Sequence, residues 1–130
     1  MAERHWLQFT IALAGFVPVS AGFAGAILGS AMAGEVAYDA SLDSHVRYLS
    51  GLLLGIGLAF WESIPQIERR TDRVRLLTLL VVLGGLVRLI GILRVGVPGH
   101  AMIFGLCMEL VVTPLICLWQ SRVARRCGVL

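Results

Sequence analysis

The chain has 130 residues, of which 58% are hydrophobic and 15% charged, and its formal net charge is +3. Ordinary soluble domains carry about 25% charged residues, and a chain this short has too much surface for so few charges to solvate. A disordered chain is excluded and a water-soluble globule is not expected; the surplus apolar surface is expected to face lipid. All the basic residues are arginines, placed in short segments between apolar runs. That placement argues against nucleic-acid binding, which favours a basic face.

From Leu7 to Gly34 no residue is charged, a run longer than the roughly 20 residues a helix needs to cross the hydrocarbon core. It predicts a first span over about 7–33. Ala31-Met32-Ala33 resembles a signal-cleavage site, but Glu3-Arg4 makes a poor basic start and the run exceeds a signal-peptide core, so the segment is expected to be retained. A polar, acidic stretch from Glu35 to Arg47 precedes a second span over about 45–66, in which Pro65 permits a kink.

Residues 68–75 read ERRTDRVR, too charged for the bilayer, and Thr71 or Asp72 can cap the helix that follows. The third span, about 74–94, is interrupted only by Arg88. Val97-Pro98-Gly99 is turn chemistry that sends the chain back. The fourth span, about 100–121, carries Glu109 and Pro114. The expected fold class is all-α, a four-helix transmembrane bundle forming one membrane domain.

Arginines near the span ends give the orientation. Arg4, the connector's Arg69, Arg70, Arg73 and Arg75, and the tail's Arg122, Arg125 and Arg126 fall on one side, against Arg47 and Arg94 on the other. Both termini are therefore expected in the cytosol. Trp6, Trp61 and Trp119 fall near the same ends, where indoles prefer the interface.

Lipid supplies no hydrophobic force between helices, so close approach of small residues must hold them together. Gly25 and Gly29, Gly51 and Gly55, and Gly84 and Gly85 are the expected packing positions, either within one chain or in a homo-oligomer. In the fourth span Gly105, Glu109 and Thr113 step by four and Gln120 follows seven later, giving a small or polar stripe. Ionisable groups inside spans cost about 2.5–3.5 kcal/mol each at mid-helix and are functional by default. Arg88 and Glu109 are the deepest, roughly 9 and 13 Å from the ends of their helices at 1.5 Å per residue. They are expected to meet, as an interhelical clasp or as a relay for a proton, an anion or a polar substrate, with Thr113 and Gln120 on the same seam. Glu62, with Arg69 and Arg70 one or two turns on, is expected to form a polar group at the inner interface.

Glu35, Asp39, Asp43, His45 and His100 could approach one another, but their spacing is not that of a metal site. Cys107, Cys117 and Cys127 form neither a CxxC pair nor a zinc signature. No metal, cofactor or catalytic constellation is therefore expected.

The run W-E-x-I-P-x-I-E-R at Trp61 to Arg69, G-G-L-x-R at Gly84 to Arg88, and E-L-V-x-x-P-L-x-x-L-W-Q at Glu109 to Gln120 resemble the small bacterial membrane family catalogued as domain of unknown function 4345. The resemblance covers most of the chain after Ser44. It implies a four-helix integral protein of the bacterial inner membrane, brings no activity with it, and marks Glu62, Arg88, Glu109 and Gln120 as the pattern's polar positions.

Because nothing resembles a nucleophile, a metal box or a nucleotide loop, the chain is expected not to be an enzyme. A scaffold or modulator of a membrane complex is the favoured role, with the bilayer and a homo-oligomer or larger complex as partners. A small transporter or channel using Glu109 and Arg88 is the alternative. A lipid-acting enzyme with Glu62 or Glu109 as acid or base is third, and it lacks a histidine inside the spans.

Overall fold

The computed structural model describes residues 1–34 and 39–130, so Glu35 lies outside the described residues. Every regular element among the described residues is helical. Helix α1 (Ala2–Leu28) ends in a 3-10 turn, Gly29–Ala33, and α2 (Ala40–Ser63) runs into another, Ile64–Arg69. Helix α3 (Thr71–Val95) is followed by α4 (His100–Cys107), a π turn (Met108–Val112) and α5 (Thr113–Arg126) in one continuous rod. Four stretches, Ala2–Met32, Ala40–Arg69, Thr71–Val95 and His100–Arg126, are long and apolar enough to cross a membrane. The shortest, of 25 residues, reaches about 37 Å, more than the roughly 30 Å of a hydrocarbon core. Phe9, Leu13, Phe16 and Phe23 on α1 and Leu79, Leu83, Val87 and Ile90 on α3 are exposed, as side chains in contact with acyl chains would be.

These helices are longer than the apolar runs from which they were expected. Helix α1 begins before Leu7 because Glu3 and Arg4 both have partners. Glu3 pairs with Arg126 and, at 3.4 Å, with Arg122, while Arg4 Nε donates to Glu68 Oε2 at 2.9 Å. The same pairs carry α5 beyond Gln120 to Arg126.

The contacts define two compact units, one of residues 10–62 and one of residues 1–9 with 63–130. In the first, α2 runs antiparallel to the body of α1, and glycines set the distance between them. A Cβ on Gly22 would lie 2.5 Å from the Leu54 backbone nitrogen, and one on Gly57 would lie 2.7 Å from Val19 Cγ2. Gly25 packs on Ser50, and Gly15 makes room for the Trp61 indole. The expected packing glycines Gly51 and Gly55 have nothing within 4 Å of a Cβ. Gly57 is two residues beyond Gly55, a rotation of about 200°, so the face of α2 that packs on α1 is the opposite one. Gly29 does pack, against Asp43 and Arg47, with Arg47 Nε 3.0 Å from where its Cβ would be, and its φ of +61° also ends the helix, a conformation that a side chain disfavours. Pro18 lies within α1, which continues through it.

In the second unit α3 and the α4–α5 rod run antiparallel. Gly85 is buried against them, with Leu110 Cδ2 2.8 Å and Glu109 Cβ 2.9 Å from where its Cβ would be, whereas Gly84 and Gly105 face open space. Leu7, Ser63, Ile67, Val74 and Gln120 are fully buried, and Ala124 is equally enclosed. The core therefore gathers at the turn between α2 and α3. There Pro65 and the non-helical Gln66 (φ −125°, ψ 38°) break the helix.

Gly22→Ala should destabilise the protein by about 1–3 kcal/mol through overpacking. Gly51→Ala, Gly55→Ala and Gly84→Ala should be neutral or stabilising by up to about 1 kcal/mol. Thermal unfolding in mild detergent measures both.

Candidate functional site

The deepest charged groups meet. Arg88, in the last third of α3, and Glu109, in the π turn, form a two-pronged ion pair with Nε to Oε2 and Nη2 to Oε1 both at 3.0 Å. Two parallel charge-assisted bonds fix orientation as well as distance. Arg88 Nη1 also donates to Met102 Sδ at 3.0 Å, which ties α4 to the same guanidinium. The Arg88 side chain is 34% exposed and that of Glu109 17%, so the arginine is the accessible partner. It lines an open concavity of about 360 Å³, walled by Gly91, Ile92, Val95, Pro98 and Met102.

The π turn accounts for the local shape around Glu109. Pro114 has no N–H and clashes with a helical carbonyl four residues back. The chain widens by one residue ahead of it: Thr113 N–H bonds to the Met108 carbonyl, and Thr113 Oγ1 donates to the same oxygen at 2.7 Å. Such turns occur often at functional sites. Thr113 thus supports the turn that carries Glu109; the ion pair itself involves only Arg88 and Glu109.

Gln120 lies far from that pair. Its Nε2 donates to the Ile67 carbonyl at 2.7 Å and to Thr71 Oγ1 at 2.9 Å. Thr71 is therefore an acceptor for α5, and no side chain caps the start of α3, contrary to the expected Thr71 or Asp72 cap. Two more carbonyls of the broken turn are bonded from α1: Gln8 Nε2 to Ile64 O at 2.8 Å and Arg4 Nη2 to Pro65 O at 2.9 Å. The polar group at this turn includes Glu68, Arg4, Gln8 and Gln120. Glu62 is exposed at the end of α2, Arg69 is exposed and Arg70 is half-buried. Arg4 and Gln8 share a helix face at a spacing of four, which is the signal of their common role in the sequence. Thr78 Oγ1 and Gln120 Oε1, on the facing sides of α3 and α5, are buried without a hydrogen-bond partner among the described residues.

A third cluster closes the end of α1. Asp43 Oδ1 accepts from Ser30 N at 3.0 Å, and its Oδ2 accepts from Arg47 Nε at 2.7 Å. Arg47 Nη1 donates to the Ala26 and Ile27 carbonyls at 2.9 and 2.6 Å. Asp43 is thereby committed to a helix clasp, and among the described residues no three acidic, His or Cys side chains come together as metal ligands. The indoles differ in their surroundings. Trp6 is exposed. Trp61 Nε1 donates to the Ala12 carbonyl at 3.1 Å, with Phe16 edge-on, and Trp119 Nε1 to Glu3 at 3.3 Å.

Fold and site together define an all-α protein with four helices of membrane-spanning length and an arginine–glutamate pair within two of them. The chain belongs to the family described as domain of unknown function (DUF4345), whose model matches residues 6–120. No curated protein and no solved structure matches it.

Glu109→Gln or Arg88→Leu alone should each cost about 3–5 kcal/mol by leaving the other partner uncompensated, whereas the double substitution should regain most of the loss. A double-substitution cycle of unfolding in detergent reads the coupling.

Proposed function

We propose that the protein is a non-enzymatic, multi-pass protein of the bacterial inner membrane that scaffolds or modulates a larger membrane complex. The observation that carries this reading is the engagement of both Glu109 oxygens by one guanidinium. An acid held by two parallel bonds to one guanidinium fastens the two helices that carry the pair. The extensive exposed apolar surface suits contact with lipid and with neighbouring membrane helices or a second copy. Cytosolic placement of both termini is supported by the arginine distribution and by the pairing of Glu3 near the start with Arg122 and Arg126 near the end.

A small transporter or channel is the second reading. It is favoured by the unpartnered Thr78 and Gln120 atoms buried along the α3–α5 seam and by the π turn at Glu109.

Purification of tagged protein in mild detergent separates the two. The scaffold reading expects a stoichiometric partner or a defined homo-oligomer, retained when Arg88→Leu and Glu109→Gln are combined. A monomer that alone supports proton-coupled flux in liposomes, abolished by Glu109→Gln, would overturn it in favour of transport.

A further inference from the structure

The concavity beside Arg88 has the composition of a binding site for an amphiphile. Its walls, Gly91, Ile92, Val95, Pro98 and Met102, are apolar and its polar element is the guanidinium. Its volume of about 360 Å³ falls within the roughly 300–1,000 Å³ of small-molecule sites. It opens between the last turns of α3 and the first turn of α4, beside the Gly96–Gly99 connection.

The hydrogen bonding of Arg88 indicates what the site would hold. A guanidinium has five N–H donors. Glu109 takes two and Met102 Sδ a third, which leaves one N–H on each Nη without a partner among the described residues. A thioether is a weak acceptor, and methionine is the most adaptable of apolar side chains. An oxygen acceptor would therefore displace Met102 Sδ readily and gain charge-assisted bonds. Glu109 keeps the guanidinium positioned without using it up.

We propose that this concavity binds a single-chain or two-chain acyl amphiphile, with the oxygens of its oxyanion head on Arg88 Nη1 and Nη2 and the start of its chain against Ile92, Val95 and Met102. The oxyanion is a phosphate if the ligand is a phospholipid and a carboxylate if it is a free fatty acid. The site is separate from the scaffold reading and stands or falls without it.

Gly91 provides the test, because a Cβ there has nothing within 4 Å and the residue touches neither Glu109 nor the Arg88 hydrogen bonds. Full-length protein in mild detergent is titrated separately with dioleoylphosphatidylglycerol, oleic acid and the uncharged monoolein, and bound ligand is counted by native mass spectrometry. One equivalent of phosphatidylglycerol or of oleate is expected to be retained at least tenfold better than monoolein, and the stronger arm identifies the source. Gly91→Leu should lower that retention at least tenfold with an unchanged or raised melting temperature. Met102→Leu, which removes the sulfur that competes for Arg88, should retain at least as much ligand as the parent and serves if Gly91→Leu folds poorly. Retention of both oxyanions no better than of monoolein, undiminished retention in folded Gly91→Leu, or a tenfold loss in Met102→Leu would overturn the proposal.

Discussion

A backbone carbonyl freed inside a membrane has no water to turn to, so irregular backbone is tolerated there only where protein supplies the partner. This chain leaves regular α geometry at three places in its described helices, and a side chain meets each one. At the turn Ile64–Arg69 the carbonyls of Ile64, Pro65 and Ile67 accept from Gln8, Arg4 and Gln120. At the π turn the Met108 carbonyl accepts from Thr113. At the end of α1 the Ala26 and Ile27 carbonyls accept from Arg47, which Asp43 holds. The polar residues that tie one helix to the next are largely those that repair these breaks.

This arrangement explains why so few buried residues suffice. Helix association in lipid relies on close packing and interhelical hydrogen bonds rather than on hydrophobic burial. The glycines at 15, 22, 25, 57 and 85 let backbones or aromatic rings approach, and the capping side chains then hold the approach in register. The Arg88–Glu109 pair belongs to the same pattern, with one difference: part of its guanidinium remains open to a concavity. A purely structural clasp has no need of that opening, which makes Arg88 the residue on which structure and ligand recognition meet.

Much of this was legible in the sequence. The four spans followed from long apolar runs poor in charge, and the meeting of Arg88 with Glu109 from depth counted along antiparallel helices, because both rest on one-dimensional quantities. What a sequence does not carry is the rotation of each helix about its own axis. GxxxG at Gly51 and Gly55 looked like the packing face, yet Gly57 on the opposite side makes the contact. Likewise Gln120 was placed on the stripe with Glu109, but Glu109 sits in a π turn that shifts the helical register, and Gln120 serves the far end of the rod. The partners of Arg4 and Gln8 were not legible, because only the broken turn gives them carbonyl acceptors. The π turn itself had a local signal in the sequence, Thr113 followed by Pro114.

The claim on which this account depends is that capping of the Ile64–Arg69 turn holds the helix ends together, and the unfolding free energies of Gln8→Leu and Gln120→Leu in mild detergent test it most directly. Each leucine fills similar space but leaves a carbonyl without its donor, so each protein should lose about 1–3 kcal/mol, with Gln120→Leu losing more because Thr71 is stranded as well. Unfolding free energies equal to the parent's for both would contradict the account.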